Sequence, residues 1–219
     1  MSPKVSIVVL AWNGGDEVKA FVESFRQHPP KVPTELILVD NASTDGTVEM
    51  LEEFESEKHP KNVKVKLVCN RENLGYARGN NTALPHITGE YTLFLNQDIV
   101  LNDGVVDTLV EFLDQDEARE YGAISPQLRY PDGSIQKSVR GLPTPKSMIG
   151  NYLKMNWDDE FDYSKSQDCE QPMASAIMIR SDLLQKIGGF DTDPMVWLFF
   201  NDVDLSKKIL EEGYKIYYL

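Results

Sequence analysis

The sequence alternates short β-branched runs with amphipathic segments, and this alternation limits the folds that the chain can adopt. Val5–Leu10 and Glu35–Val39 are nearly continuous apolar runs, which are typical of strands buried on both faces of a sheet. Asp16–Gln27 lies between them and carries its apolar residues at helical spacing. The pattern predicts an α/β fold with an open, mostly parallel sheet flanked by helices.

The same alternation continues along the chain. Further strands are predicted at Val63–Val68, Tyr91–Leu95, Ala123–Leu128, Ala176–Ile179 and Lys215–Leu219. Helices are predicted from a Ser43 or Thr44 cap to Glu57, at Val105–Leu113, Ser181–Ile187 and Asp202–Glu212, and more weakly at Gly75–Ile87, which Pro85 interrupts. After Leu128 the pattern changes, with a hairpin tip predicted at Tyr130–Gly133 and a loop-rich segment at Arg140–Pro172.

The net charge of the chain limits the classes of partner that it can bind. With 22 Lys and Arg against 35 Asp and Glu, the net charge is −13, so a nucleic-acid partner is not expected. An anionic ligand would need a local cation, such as a metal ion, an Arg or a helix N-terminus. Cys69 and Cys169 are too few for a disulfide framework and indicate a reduced, cytoplasmic protein. No apolar run approaches the length of a membrane-spanning helix.

Polar residues follow each of the first four predicted strands. The segments are Trp12-Asn13-Gly14-Gly15, Asp40-Asn41, Asn70-Arg71 with Asn73, and Asn96-Gln97-Asp98. In open α/β sheets, ligands bind beyond the carboxyl ends of the strands, so these segments predict a site at that edge. The chain has neither the glycine fingerprint of a dinucleotide-binding fold nor a P-loop, which argues against both of those ligand classes.

Four carboxylates are candidates for chemistry, and each leaves alternatives open. Asp98, with Asn96 two residues earlier, offers oxygen ligands to Mg²⁺ or Mn²⁺, although an Asp at a strand end is also a common turn residue. Asp40 suits a ribose or a base N–H, or equally a turn cap. Asp202 and Asp204 point to different sides of a helix, so one can serve chemistry while the other stabilises the helix N-terminus.

Together, ordered stretches along nearly the whole chain resemble the family 2 glycosyltransferases, which have the GT-A fold. The nearest likeness is to rhamnosyltransferase-type enzymes of bacterial surface polysaccharides. The stretches are VSIVVLAWNG, LILVDNASTDGT, NRENLGYARGNN, LFLNQDIVL, YPDGSIQ with RGLPTP, and ASAIMIRSDLLQKIGGFD with FFNDVDLSKKILEEGY.

The resemblance implies roles for individual residues. Asp40 would bind the base of the donor nucleotide, and the backbone near Ala11 would line the same pocket. Asp98 would coordinate Mg²⁺ or Mn²⁺, and Asp202 would be the general base. The other implied donor-site residues are Asn13, Asn41, Arg78, Asn81 and Gln97, with Arg78 and Asn81 near the ribose or diphosphate.

The implied reaction is an inverting, metal-dependent transfer of a sugar, in polysaccharide or glycolipid synthesis. The donor would be a dTDP- or UDP-linked sugar, and the acceptor a hydroxyl of a saccharide or of a lipid-linked saccharide. The resemblance implies one GT-A domain over residues 1–219, with a nucleotide-sugar-binding half at 1–128 and a smaller acceptor-side half at 129–219. The full protein is expected to continue past Leu219, and to lie in the cytoplasm or at the inner face of the cytoplasmic membrane.

Two departures from the family motifs keep other functions open. Asn96 stands at a motif position that allows Asp, and Asn201 stands where Glu usually precedes the catalytic Asp. The chain also ends before a histidine that many relatives use as a further metal ligand. A non-catalytic sugar-nucleotide-binding module therefore remains an alternative. A sugar nucleotidyltransferase is disfavoured, because the segment after the first strand carries no basic residue for a triphosphate.

Overall fold

The computed structural model describes residues 2–143, 161–193 and 200–219. The strands are β1 Val5–Ala11, β2 Thr34–Asp40, β3 Val63–Cys69, β4 Tyr91–Asn96, β5 Tyr121–Ser125, β6 Val139–Arg140, β7 Gln167–Cys169, β8 Gln171–Pro172, β9 Ala176–Arg180 and β10 Lys215–Tyr218. The helices are α1 Gly15–Gln27, α2 Thr47–Ser56, α3 Gly75–Asn81, α4 Val105–Leu113, α5 Ser181–Lys186 and α6 Asn201–Glu211, with short 3₁₀ turns at Leu84–His86 and Asp116–Glu120.

Eight strands form one sheet in the order β3-β2-β1-β4-β9-β5-β10-β7. The neighbouring strands β3, β2, β1 and β4 are parallel, as are β5 and β10. β9 runs antiparallel between β4 and β5, and β7 is antiparallel to β10 at the edge. The predicted open, mostly parallel sheet is confirmed, and strands from both halves of the chain enter it.

Helices cover both faces of the sheet, which explains why the central strands are apolar almost throughout. In β1, Ile7 and Val9 belong to one hydrophobic core, and Val8 points to a second core on the opposite face. Residues of α1, α2 and α4 pack in the first core, and residues of α3, α5 and α6 pack in the second.

The predicted cap of α2 is wrong by a few residues. The helix begins at Thr47, and its first free N–H bonds to Oδ1 of Asp45 at 3.1 Å. Gly46 before it has a φ of 89°, in the left-handed region that glycine adopts readily. Ser43 instead accepts a hydrogen bond from the backbone of Asn13 at 2.9 Å, so it joins two loops and caps nothing.

Two other sequence predictions need correction. β5 runs over Tyr121–Ser125 and not Ala123–Leu128, because Pro126 follows and has no N–H for a ladder. The segment Arg140–Pro172 is not wholly loop, since it contains β7 and the two-stranded sheet of β6 and β8. Residues 144–160 of that segment lie outside the described ranges. The hairpin tip at Tyr130–Gly133 is confirmed by the bridge that follows between Arg129 and Ile135.

Within the three described ranges, no helix is long and apolar enough to cross a membrane.

Candidate functional site

The carboxyl ends of β1, β2, β3 and β4 meet in register, and we call this border the carboxyl edge. Ala11 pairs with Asp40, Asp40 with Cys69, and Leu10 with Asn96. The segment before β9 reaches the same edge, because β9 is antiparallel to β4 and Ala176 pairs with Leu95. The polar segments that follow these strands in the sequence are therefore brought together, as the strand alternation predicted.

Asp40 is buried at the end of β2, and only one of its two carboxylate oxygens accepts a hydrogen bond from the described residues. Its Oδ2 accepts the backbone N–H of Ser43 at 3.1 Å, which resembles a turn cap. Its Oδ1 is also buried, and no residue in the described ranges donates to it. A buried acceptor without a donor is costly, so this atom is suited to receive an N–H from a ligand.

Asn13 and Gln97 tie together the loops that follow β1, β2 and β4. Asn13 has a φ of 46°, and its Oδ1 accepts the backbone N–H of Thr44 at 2.7 Å. Gln97 accepts the backbone N–H of Trp12 at 2.8 Å and donates to Glu17 at 2.8 Å. Both side chains are used by the protein itself, so they shape the pocket by fixing its loops.

Asn41 is buried and fully hydrogen-bonded. Its Nδ2 donates to Oδ1 of Asn73 at 2.8 Å and to the carbonyl of Gly75 at 3.3 Å. Its Oδ1 accepts from Nδ2 of Asn70 and from the backbone N–H of Leu74, both at 3.1 Å. An amide has no further positions to offer, so the geometry favours a role for Asn41 in holding the start of α3.

Asn81 and Arg78 connect α3 to the segment after α5. Asn81 makes a pair of hydrogen bonds with the backbone of Phe190, donating at 2.8 Å and accepting at 3.0 Å. Gly189 has a φ of 73°, and a Cβ there would approach Oδ1 of Asn81 to 2.6 Å, so only glycine fits. Arg78 is exposed and reaches the carbonyl of Thr192 at 3.5 Å. Its guanidinium is thus an exposed cation beside the segment that follows α5.

Asp98 and Asp202 both act electrostatically on one partly buried tyrosine. Tyr76 of α3 donates its hydroxyl to the carbonyl of Ala174 at 2.8 Å. Burial raises the pKa of Tyr76 most, and the negative charges of Asp202 and Asp98 raise that pKa further. Both carboxylates are therefore within electrostatic reach of one hydroxyl, on the same side of the molecule.

The carboxylate of Asp202 is held at the start of α6 by two donors. Its Oδ1 accepts the backbone N–H of Val203, and its Oδ2 accepts Nε2 of Gln171, both at 2.9 Å. Asp204, two residues on, pairs with Lys208 at 2.8 Å. The prediction that the two acids point to different sides is confirmed.

Three buried oxygens near these acids have no hydrogen-bond partner in the part of the chain that the structure describes. They are Oδ1 of Asn96, Oγ of Ser175 and Oδ1 of Asn201. Asn96 and Ser175 are adjacent, since the backbone N–H of Asn96 donates to the carbonyl of Ser175 at 2.9 Å. Proteins leave few such atoms unpaired, and a polar ligand, an ion or water would satisfy them.

The donor atoms beside Asp98 fit a hard divalent cation with an incomplete protein shell. Asp98 is exposed and contributes a carboxylate, and Asn96 contributes an unpaired amide oxygen. No group of three or more His, Cys, Asp or Glu residues that could hold a metal exists within the described ranges. Mg²⁺ in particular is often held by one or two carboxylates with substrate phosphates and water completing the shell.

The backbone just before Asp202 is strained. Phe200 has a φ of 71°, in the left-handed region, and its ring is 60% exposed. Such a conformation is uncommon for a bulky residue, and strained residues cluster at functional sites. No sequence pattern predicts this feature or a role for Gln171, which lies in the segment predicted as loop. Tyr76 was visible only as the aromatic position within NRENLGYARGNN.

This sheet order, with its polar residues gathered at the carboxyl edge, is the architecture of the GT-A glycosyltransferases. The chain belongs to glycosyl transferase family 2, whose model matches residues 6–187. The family and fold that the ordered motifs predicted are thereby confirmed.

Two relatives with similar sequences are also named as glycosyltransferases. An N-acetylglucosaminyl-diphospho-decaprenol L-rhamnosyltransferase of Mycobacterium tuberculosis is 24% identical over 243 residues, covering 100% of this chain and 74% of the relative. A putative teichuronic acid biosynthesis glycosyltransferase of Bacillus subtilis is 31% identical over 113 residues, covering 51% of this chain and 42% of the relative.

Solved structures share the fold at low sequence identity. The mannosyltransferase PcManGT from Pyrobaculum calidifontis, in complex with GDP-Man and Mn²⁺, matches with a TM-score of 0.69 and 23% identity, over 99% of this chain and 54% of that one. Staphylococcus aureus TarS 1–349 in complex with UDP-GlcNAc matches with a TM-score of 0.66 and 18% identity, over 99% and 56%. The chain thus spans little more than half the length of these structures.

Proposed function

We propose that this chain carries the catalytic site of an inverting glycosyltransferase that uses a nucleoside-diphosphate sugar. The observation that carries the proposal is that Asp98 and Asp202 both lie within electrostatic reach of the Tyr76 hydroxyl, which bonds to Ala174 in the segment that reaches the carboxyl edge. One acid can face a leaving diphosphate while the other faces an incoming hydroxyl, which is the division of labour that glycosyl transfer needs.

The donor nucleotide would bind where β1 and β2 end. The unpaired Oδ1 of Asp40 would accept an N–H from the base, and the backbone around Ala11 and Asn13 would line the same pocket. Arg78 would contact the ribose or diphosphate from the rim, as a local cation in a chain with a net charge of −13. Asn41, Asn81 and Gln97 would hold the surrounding loops.

Asp98, with the amide oxygen of Asn96, would hold a divalent cation, Mg²⁺ or Mn²⁺. When bound, such an ion neutralises charge on the departing diphosphate. Support for this assignment comes from the unpaired Asn96 oxygen and from the Mn²⁺ in the complex of PcManGT.

The general base would be Asp202. Its carboxylate would take the proton from the acceptor hydroxyl as the oxygen attacks the anomeric carbon and the bond to the diphosphate breaks. The transition state has oxocarbenium character, and one base with in-line attack inverts the anomeric carbon. The proton ends on Asp202, and the leaving group departs as a nucleoside diphosphate.

For the substrates, we infer a dTDP- or UDP-linked sugar, with rhamnose as the first donor sugar to test. The alignment of the whole given sequence with 74% of the mycobacterial rhamnosyltransferase supports the sugar, and that relative's name supports a lipid-linked saccharide acceptor. Such an acceptor would bring the protein to the inner face of the cytoplasmic membrane by peripheral association. Residues 1–128 would then bind the donor and residues 129–219 the acceptor.

A thermal-shift panel of UDP, dTDP and GDP, each with and without Mn²⁺, tests the donor site. At a nucleotide concentration 100-fold above Kd, binding adds about 2.7 kcal/mol of stability. That corresponds to a rise in Tm of about 5–10 °C for a chain of this size. No shift with any nucleotide would contradict the proposal.

A second candidate, a non-catalytic sugar-nucleotide-binding module, is favoured by the neutral Asn96 and Asn201 at motif positions. The panel cannot separate it from an enzyme, but release of nucleoside diphosphate from a sugar donor can. We expect release that depends on Asp202. Tight nucleotide binding without any release or transfer would favour the module.

A further inference from the structure

We propose that Gln171 is a positioning residue that aims the carboxylate of Asp202 at the acceptor hydroxyl. The inference rests on the proposed function, in which Asp202 is the general base. Its basis is a single contact from a buried side chain, in which Nε2 of Gln171 donates to Oδ2 of Asp202 at 2.9 Å. Gln171 is 4% exposed, so water competes little for this bond.

Gln171 is presented by a braced piece of backbone. It lies on β8, where it pairs with Arg140 of β6. The backbone N–H of Met173 donates to the carbonyl of Ser138 at 2.8 Å, which extends the same pairing. The hydroxyl of Tyr163 donates to the carbonyl of Val139 at 2.8 Å and accepts its N–H at 3.0 Å. The backbone that carries the Gln171 side chain is therefore held in place on both sides.

Without this contact, only the N-terminus of α6 would determine how the Asp202 carboxylate is oriented. Asp202 is in the first turn of α6, where free N–H groups and the helix dipole attract a negative side chain. Oδ1 already bonds to the N–H of Val203. Gln171 holds the other oxygen, and each oxygen keeps a second lone pair that can accept a proton. The bond thus selects one orientation of the base.

The group that donates this hydrogen bond, the Gln171 amide, is also neutral, and this matters because Asp202 is proposed to act as a base. A Lys or Arg in this place would stabilise the ionised form of Asp202 and weaken it as a proton acceptor. An amide fixes the geometry with a much smaller electrostatic effect. Replacing the amide by a carboxylic acid changes the charge while nearly keeping the shape, so it probes the contact directly.

The surroundings contain other groups that a pH profile could report. On the described elements that pack with α6 or act on the same site they are Tyr76 on α3, Asp98 after β4, Arg140 on β6, Glu170 before β8, Tyr218 on β10, and Asp204 and Lys208 on α6. Lys208 is paired with Asp204, and Glu170 accepts the backbone N–H of Leu142 at 2.9 Å. A matched control is therefore needed to assign any shift to Gln171.

The test measures kcat and the donor KM of the whole chain as a function of pH for Gln171→Glu and Gln171→Met. For Gln171→Glu we expect the acidic limb of kcat to move upward by about one pH unit, because two adjacent carboxyls share a proton. For Gln171→Met we expect kcat to fall about tenfold with the donor KM within about twofold, since geometry at the base is lost and donor contacts are not.

Gln167→Glu and Gln167→Met are the matched controls. Gln167 is a glutamine on the neighbouring β7, and its amide donates to the carbonyl of Asp162 at 2.8 Å. We expect both variants to keep the wild-type pH profile. If Gln171→Met fails to fold, the pH profile of Gln171→Glu alone tests the inference, because this variant differs from wild type only in replacing the amide NH₂ by a carboxyl oxygen. An unshifted acidic limb, or a limb that Gln167→Glu moves equally, would overturn the inference.

Asp202→Asn separates this inference from the function on which it rests. If Asp202→Asn keeps wild-type transfer, Asp202 is not the base and the proposed function fails with the inference. If Asp202→Asn is inactive but Gln171→Glu behaves as wild type, the proposed function stands and Gln171 is only a packing residue.

Discussion

The donor-side loops and the start of α6 differ in how densely side chains brace them. On the donor side, Asn13, Asn41 and Gln97 hydrogen-bond to neighbouring loops, while Oδ1 of Asp40 and Oδ1 of Asn96 are buried without a partner among the described residues. At the start of α6, the unpaired Asn201 lies next to Phe200 in a left-handed conformation. Both regions leave a buried oxygen unpaired and hold a non-glycine residue at positive φ, Asn13 at 46° and Phe200 at 71°, but the donor-side loops are tied to one another by more side-chain hydrogen bonds.

This difference suggests a division of labour. A braced pocket binds a donor without paying to order its loops, whereas a strained segment with unpaired oxygens gains most when a second substrate satisfies it. Mutations on the donor side should therefore change stability and nucleotide affinity. Mutations at the start of α6 should change turnover with little loss of donor affinity.

The largest effect should come from Asp202→Asn. We expect kcat to fall about 10³-fold with nucleotide affinity unchanged, because the amide cannot accept the acceptor's proton. Turnover assays and calorimetric titration of the nucleotide measure the two quantities. The control is Asp204→Asn, which breaks the pair with Lys208 on the other side of α6 and should leave kcat within about twofold. Equal losses in both variants would refute the assignment of the base.

The next largest effect is on stability, through Asn41→Leu. The substitution deletes four hydrogen bonds and leaves buried partners at the start of α3 unsatisfied, so we expect the free energy of unfolding to drop by about 3 kcal/mol. Asn70→Ala, which removes one of the four bonds, should cost about 1 kcal/mol. Urea denaturation compares the two. A loss for Asn41→Leu no larger than that for Asn70→Ala would show that the bracing is not cooperative.

The sequence predicted the donor side better than the acceptor side for a physical reason. Strand ends such as Asp40 and Asn96 follow from hydrophobic pattern, and parallel strands bring their carboxyl ends together whatever the loops do. The contact between Gln171 and Asp202 joins residues far apart in the chain, and Gln171 comes from a strand of two residues that no periodicity reveals. The left-handed backbone of Phe200 is likewise absent from any sequence pattern, since local preference opposes it.

Asp40→Asn should separate affinity from stability on the donor side. We expect nucleotide affinity to fall about 10- to 100-fold, because the unpaired Oδ1 loses the charge that strengthens a bond to a base N–H. Without nucleotide, the free energy of unfolding should stay level or rise, since a buried carboxylate with an unpaired oxygen is costly. Glu49→Gln, which removes one exposed charge from nearby α2, should change neither quantity. If Asp40→Asn keeps the wild-type nucleotide affinity, the nucleotide base must bind at a different residue.

The smallest effect should appear at Phe200, where strain can be separated from ring contacts. Glycine accepts a φ of 71° freely, so Phe200→Gly should be about 1 kcal/mol more stable than Phe200→Ala, which keeps the strained backbone but also loses the ring. Thermal unfolding of the pair measures this difference. If the ring meets the acceptor, both variants should raise the acceptor KM and leave the donor KM unchanged. Equal stability of the two variants would mean that α6 stores no strain at its start, and the contrast with the donor side would then rest on the number of bracing hydrogen bonds alone.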